Sequence, residues 1–292
     1  MITIQAQSAE ERSQVLAERV FGAALDVADL TTIYLGDRLG FYRALKNLGE
    51  ATPAELAEAA GTAERYTREW LEQQAVTGIL DVTDTGNPES RRYSLPAGHD
   101  VALTDRDNLA YVAPLARQFL GLISTLPLLA DAYRTGAGIP FEAYGDDLRE
   151  GMGEANRVLY INLLAQEWIP ALPDIDARLR DSAQPARVAD IGCGTGWSTI
   201  ALAQGYPHVR VDGFDLDAAS IESARANAER AGVGDRVHFH VRDAADPAPG
   251  AEYDFAFAIE TIHDMANPVG ALAAMRRMVG EGGTVLIGDE RV

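Results

Sequence analysis

Residues 188–196 read Val188-Ala189-Asp190-Ile191-Gly192-Cys193-Gly194-Thr195-Gly196. An apolar run carrying one carboxylate ends in three alternate glycines, and a helix-like stretch follows. A buried strand that turns so sharply needs residues that accept positive φ and let a ligand approach the backbone with no Cβ in the way. The spacing is not the dinucleotide fingerprint G-x-G-x-x-G, because position 197 is Trp. It is not a phosphate loop either, since no Gly-Lys-Ser/Thr follows. Asp190, just ahead of the glycines, sets a carboxylate where an ammonium group can dock.

Outward from this loop the rhythm is strand, helix, strand. Strands are expected at 187–191, 210–214, 237–242, 253–259 and 283–289, and helices at about 196–205, 218–232 and 268–279. Such alternation means an α/β, Rossmann-like parallel sheet with crossover helices, which takes its ligands beyond the carboxyl ends of the strands. Asp215 closes the second strand, 19 residues after Gly196, where a carboxylate can accept both hydroxyls of a ribose. Asp243 closes the third strand, within reach of an adenine amino group. One acid for an ammonium, one for a ribose and one for an adenine describes S-adenosylmethionine better than NAD.

The run Val188–Asp217, VADIGCGTGWSTIALAQGYPHVRVDGFDLD, resembles motifs I and II of class I S-adenosylmethionine-dependent methyltransferases. Asp243-Ala244, Tyr253-Asp254 and Gly282-Gly283 extend the resemblance over about residues 186–292, and the layout of the chain is similar to small-molecule O-methyltransferases with an N-terminal winged-helix domain. The resemblance implies that Asp190 and the backbone of Gly192, Gly194 and Gly196 hold the methionine part of the cofactor. It implies Asp215 at the ribose, Leu216 against the adenine face, and Asp243 with Ala244 at the adenine edge. Cys193 lies inside this set by position and is otherwise a small buried filler. The resemblance also implies a homodimer through the N-terminal domain, which helps close a pocket around a small-molecule acceptor.

Strand four ends in Ile259-Glu260-Thr261-Ile262-His263-Asp264-Met265. In the O-methyltransferase relatives a His-Asp pair here supplies the general base, and His263-Asp264 matches it, with Met265 where the usual His-Asp-Trp has Trp. Displacement on a methyl already activated by a sulfonium needs alignment and, for a hydroxyl acceptor, removal of a proton. A histidine suits that task because it titrates near neutral pH. A capping or positioning role for His263 stays open. Asp264 is expected to orient or cap, and Glu260 to contact the cofactor's amino group or a substrate.

Residues 10–100 read as a mainly helical winged-helix domain. Thr52-Pro53-Ala54-Glu55 is a capping box with Pro at the first helical position. Thr62 is expected to cap a second helix, Ala63 to Val76, ended by Gly78. Apolar runs at 79–82 and 91–95 around Asp84-Thr85-Gly86-Asn87-Pro88 then make a hairpin wing. The would-be reading helix holds Arg65 and Arg68 against Glu64, Glu69 and Glu72, the wrong balance for facing phosphates. Dimerisation or pocket closure therefore ranks above DNA binding. Residues 101–183 are expected to be a helical linker and lid carrying an apolar run, Leu115 to Leu129, and Tyr144, Met152, Asn156 and Tyr160; the domain boundary falls near 183.

Of the 292 residues, 25 are basic and 44 acidic, giving a net charge of −19. That field disfavours nucleic acid and anionic membrane as partners. No run of about 18 apolar residues suggests a membrane span, and the polar start lacks the features of a signal peptide. The single cysteine excludes an intramolecular disulfide or a Cys-based metal cluster, and a cytoplasmic home is expected. His238 and His240 alternate on one strand face with no third ligand evident, so no metal is expected; His208 and His99 sit in turns. A complete class I sheet has seven strands, so strands six and seven are expected to be lacking here. The chain is then either a piece, or a sheet whose edge needs cover. Alternatives to a methyltransferase are a non-catalytic cofactor-binding or regulatory protein, a DNA-binding regulator, and an NAD-dependent oxidoreductase, for which the glycine spacing is wrong.

Overall fold

In the computed structural model, which describes residues 8–83, 86–87, 89–246 and 253–289, the chain divides into two units. One runs to Asp105 and takes in Ala110–Ala116; the other holds Arg106–Leu109 and continues from Arg117. Residues of the stretch 101–183 belong to both units.

The first unit contains α1 (Ala9–Arg38), α2 (Phe41–Leu48), β1 (Glu50–Ala51), α3 (Pro53–Ala60), α4 (Glu64–Val76), β2 (Asp81–Thr83), β3 (Arg92–Ser94) and α5 (His99–Thr104). The capping box forms as the sequence requires: the Glu55 N–H donates to the Thr52 hydroxyl, and the Thr52 N–H to the Glu55 carboxylate at 2.8 Å. Thr62 does not cap the next helix. Its hydroxyl bonds that of Thr67 at 2.8 Å, and Ala63 is the residue that starts α4, with no side-chain cap. The hairpin is present as β2 against β3, and β1 pairs with the other side of β3. A two-residue strand is too short for its alternation to be seen in the sequence. Residues 84, 85 and 88 of the expected turn lie outside the described residues.

The polar centre of this unit is buried Gln74. It accepts a hydrogen bond from the Tyr42 hydroxyl at 2.5 Å and donates to the Thr32 hydroxyl at 3.1 Å, while the Trp70 indole donates to the Thr32 carbonyl at 2.8 Å. These bonds tie α1, α2 and α4 together around fully paired polar groups.

In the second unit the helices come first: α6 (Ala113–Ser124), whose first turn belongs to the other unit, α7 (Leu126–Thr135), α8 (Gly145–Leu159) and, after a π-helix over Tyr160–Trp168, α9 (Pro173–Arg180). The π-helical step is visible where the Ile169 N–H reaches back five residues to the Leu164 carbonyl, at 2.9 Å. The sheet follows as β4 (Arg187–Ile191), α10 (Trp197–Gly205), β5 (Arg210–Asp215), α11 (Ala218–Arg230), β6 (Val237–Val241), β7 (Tyr253–Ile259), α12 (Pro268–Met278) and β8 (Val279–Gly288). All five strands are parallel, in the order β6-β5-β4-β7-β8. β8 starts earlier than expected because Gly282, at φ 83°, and a register irregularity against β7 let pairing begin at Val279.

Both faces of the sheet are packed, as parallel strands require. Val188, Val211, Phe255 and Phe257 meet Leu164 and Ile200 on one side; Ala189, Ile191, Phe214 and Met275 form the core of the other. The order reverses at β4, whose neighbours are β5 and β7, so the crevice opens above its carboxyl end. Among the described residues no single helix is long and apolar enough to cross a membrane; α6 and α7 meet that measure only as a pair bent by 51°.

Gly36 in α1 allows Tyr42 and Trp70 to close on the backbone, since an added Cβ would lie 2.5–2.6 Å from their rings. The substitution Gly36→Ala is expected to destabilise the first unit by about 1–3 kcal/mol through overpacking, despite the better helix propensity of Ala. Urea unfolding followed by tryptophan fluorescence checks it, and an unchanged midpoint would refute it.

Candidate functional site

The turn after β4 uses its glycines as the sequence suggests. Gly192, Gly194 and Gly196 sit at φ 72°, 51° and 84°, where a side chain is strained. A Cβ on Gly192 would run into Thr261, and one on Gly196 would lie 2.8–2.9 Å from Ala224 and Phe239. At Gly194 nothing comes within 4 Å, so the middle of the loop offers bare backbone to a ligand. The Gly192 and Cys193 N–H groups donate to the Phe214 carbonyl at 2.8 and 3.1 Å, and the Asn227 amide to the Thr195 carbonyl at 2.9 Å.

Asp190 is only 2% exposed and is turned toward the start of α10. One carboxylate oxygen accepts from the Ser198 and Thr199 hydroxyls, each at 2.6 Å. Burial outweighs these bonds and pushes the carboxyl up to about 6. Cys193 is buried too, and burial lifts its thiol far above its ordinary value, which makes it an inert filler. Asp215, at the end of β5, accepts from the Gly194 N–H at 2.8 Å and from the Asp217 N–H at 2.9 Å, and burial raises its carboxyl. Asp243 and Ala244 line a small recess with Ile191, Phe214, Arg242, Asp246 and Met278. Leu216 lies outside that lining and is exposed.

The end of β7 is strained. Glu260 has φ 55°, the one positive value at a non-glycine among the described residues. Such a conformation costs of order 1–3 kcal/mol and persists only where neighbours impose it. Here the Glu260 N–H donates to the Gly288 carbonyl of β8 at 2.8 Å. The turn that follows carries His263, whose Nδ1 bonds the carboxylate of Asp289 and whose N–H donates to the same carboxylate at 3.2 Å. Asp264, expected to orient the ring, is largely exposed and lies 3.5 Å from Nε2. The orienting acid therefore comes from the strand beside it, because β8 ends where β7 turns. A carboxylate only accepts, so Nδ1 carries the hydrogen of the Asp289 contact, and Nε2 is the ring nitrogen on the Asp264 side.

Glu260, His263 and Asp289 bring side-chain atoms within 4.8 Å of one another. Tyr160, at the start of the π-helix, belongs to the same region. Burial first, then the charges of Asp190 and Glu260, hold its phenol above its ordinary value. Met152 and Asn156 lie half-buried on α8. His238 and His240 stand apart on β6, where His240 stacks on Phe214 and faces Asp212 at 3.3 Å. Two groups escaped the sequence reading: Asp289, signalled only by an acid at the end of the fifth strand, and Arg149, buried against Asp217.

Residues 183–292 match the family described as "Methyltransferase domain", and residues 28–105 the family described as "Rv2258c-like winged HTH domain". The chain is 35% identical over 104 residues to the 27-O-demethylrifamycin SV methyltransferase of Amycolatopsis mediterranei, covering 35% of this chain and 38% of that protein. Across the first curated relatives it spans between 5% and 39% of their length. The solved mitomycin 7-O-methyltransferase MmcR superposes with a TM-score of 0.67 at 22% identity, covering 96% of this chain and 83% of that one. NcsB1, an O-methyltransferase from neocarzinostatin biosynthesis solved with S-adenosylmethionine and 2-hydroxy-5-methyl naphthoic acid, gives 0.56 at 22%, covering 89% and 79%. At these identities the structural likeness is one of fold.

The buried Asp190 carboxylate yields a pH prediction. Its folded value, about 6, lies above the about 3.9 of an unfolded chain, so the charge costs stability above pH 6 and the cost fades as pH falls toward 4. The substitution Asp190→Asn removes the charge, and its stability relative to wild type should improve by about 1 kcal/mol on going from pH 5.5 to 7.5. Urea unfolding of both proteins at both pH values measures this, and equal differences would refute it.

Proposed function

The chain joins a winged helix-turn-helix domain to a methyltransferase domain, and we propose that it transfers the methyl group of S-adenosylmethionine to a hydroxyl oxygen of a small molecule. The observation that carries this reading is the convergence, at the switch point of the sheet, of Asp215, the glycine loop and the His263–Asp289 pair. The residues fit the cofactor: the loop presents backbone at Gly194, Asp215 ends β5 within the crevice, and the recess at Asp243 and Ala244 is flanked by apolar Ile191, Phe214 and Met278. When bound, S-adenosylmethionine supplies a methyl already activated by its sulfonium.

In this reading Asp215 accepts the ribose hydroxyls, Leu216 and the Asp243–Ala244 recess hold the adenine, and Gly192 to Gly196 carry the methionine part. Asp190 acts through its grip on α10, and Glu260 faces the cofactor's amino group or the substrate. His263 accepts the acceptor's proton at Nε2, and Asp289 fixes the tautomer and stabilises the charged ring that results. NcsB1, with its hydroxylated naphthoic acid, supports a hydroxylated acceptor.

We read residues 10–100 as a winged-helix dimerisation domain, 101–183 as the helical linker and lid, and 184–292 as the cofactor-binding domain. The exposed apolar side chains of α1, among them Leu16, Val20 and Phe21 at 60–67%, support a homodimer. The cations of the would-be reading helix and wing are tied to acids: Arg65 to Glu69, Arg68 to Glu64, Arg91 to Glu72, and Arg92 to Glu50 and Glu55. That pairing weighs against a nucleic-acid partner. The single buried Cys193 is consistent with the cytoplasmic home proposed here.

Two measurements test the reading. Calorimetric titration with S-adenosylmethionine should give binding that Asp215→Ala weakens at least tenfold, with no comparable binding of NAD. Against a hydroxylated aromatic acceptor, His263→Ala should lower kcat by about 10²–10⁴-fold while cofactor affinity stays within twofold, and Asp289→Asn should fall between the two. A His263→Ala variant with wild-type kcat removes the proposed base.

A further inference from the structure

Arg149 sits in the second turn of α8, 7% exposed. Its Nε donates to the Asp217 carboxylate at 2.7 Å and its Nη1 to Asp146 at 2.6 Å. Asp217 is the N-cap of α11, where the oxygen that accepts from Arg149 also accepts from the Ser220 N–H at 2.9 Å and the Ser220 hydroxyl at 2.7 Å. The Asp217 N–H in turn donates to Asp215 at 2.9 Å. A continuous path of hydrogen bonds thus runs from a helix ahead of the sheet to the carboxylate at the end of β5.

The same face of α8 makes two more contacts, at the four-residue spacing of a helical stripe. Gly153 lies so close to Thr195 of the glycine loop that a Cβ would collide with its hydroxyl. The Arg157 guanidinium stacks over the Trp197 ring, 4.8 Å from its centroid. One helix face therefore touches the loop, the start of α10 and the cap of α11. The opposite end of α8 leads through Asn156 into Tyr160, toward the Glu260 turn. Burial alone would lift the Asp217 carboxyl, but the hydrogen bonds from Arg149 and Ser220 hold it below its ordinary value.

Resting on the cofactor reading above, we propose that Arg149 is a positioning residue: it fixes Asp217, through it the ribose-binding carboxylate of Asp215, and so makes cofactor loading and the seating of α8 a single coupled event. A buried guanidinium leaves little slack, because losing its partner strands a charge out of water. Coupling of this kind is reciprocal. A cofactor that settles Asp215 also settles α8.

The test uses S-adenosylhomocysteine, which binds without turnover, with calorimetry and hydrogen exchange on wild type, Arg149→Lys, Arg149→Met, Asp217→Asn and the Arg149→Met/Asp217→Asn pair. Arg149→Met should bind about tenfold more weakly, with partial recovery in Arg149→Lys. Asp217→Asn keeps a competent N-cap but loses the ion pair, so it should weaken binding similarly, and the double variant should be little worse than either single one. Ligand should slow exchange over residues 145–159 in wild type; in Arg149→Met that protection should vanish while protection of residues 192–196 remains. If Arg149→Met does not fold, Arg149→Lys and Asp217→Asn carry the same comparison. Arg149→Met that binds within twofold of wild type, or that keeps the protection of α8, overturns the inference alone. A folded wild type that binds nothing overturns the cofactor reading and this inference with it.

Discussion

The reversal of strand order at β4 is the constraint on which the rest of the structure depends. Because β5 and β7 leave β4 on opposite sides, their connecting helices diverge and the carboxyl end of β4 opens into a crevice. The tight turn that fills the mouth of that crevice has to be built of glycines, and Thr261, Ala224 and Phe239 stand where side chains would otherwise be. The charged groups of the site reach this one place from three strand ends: Asp215 from β5, Glu260 and His263 from β7, and Asp289 from β8. The sheet therefore acts as a jig. It sets Asp215, Glu260, His263 and Asp289 by register rather than by local sequence.

That division explains what could be read in advance. The strands and helices from 187 to 288 follow from apolar runs and glycine punctuation, and the observed spans agree closely with that pattern. The glycine loop and Asp215 were legible because each lies within a few residues of a strand end. Asp289 was not. Its partner His263 is 26 residues away, and only the side-by-side pairing of β7 and β8 brings them together. The neighbouring Asp264 was the natural expectation from sequence, yet its carboxylate lies 3.5 Å from Nε2, on the other nitrogen of the ring. Arg149 is a harder case still, lying 68 residues from Asp217 on a helix whose composition looks like any solvated surface. β1 and the cap of α4 were not legible for a simpler reason. Two residues make no period, and a threonine ahead of a helix has more than one neighbour to bond.

Electrostatics and backbone geometry act together at the site. Asp190, Asp215 and Asp217 crowd one end of the sheet, in a chain that already carries a net charge of −19. Each is held differently: Asp190 by hydroxyls inside the protein, Asp215 by two backbone N–H groups, and Asp217 by a guanidinium. Burial raises the first two and the ion pair lowers the third. Three carboxylates of one residue type thus acquire three different proton affinities from their surroundings.

The π-helix from Tyr160 to Trp168 has a consequence for how this protein can vary. Its wide turns seat Ala165 against Gly205 of α10, where a side chain on Gly205 would not fit. That contact fixes the lower end of the continuous helix that begins as α8. Removing one residue from the stretch would restore ordinary helical winding and swing everything upstream by about 100° around the axis. Arg149, Gly153 and Arg157 would then all leave their partners at once. Substitutions along this stretch can accumulate gradually. Changes of length cannot, so relatives that keep these three contacts should share the residue count between Arg149 and Ala165 while their sequences drift apart.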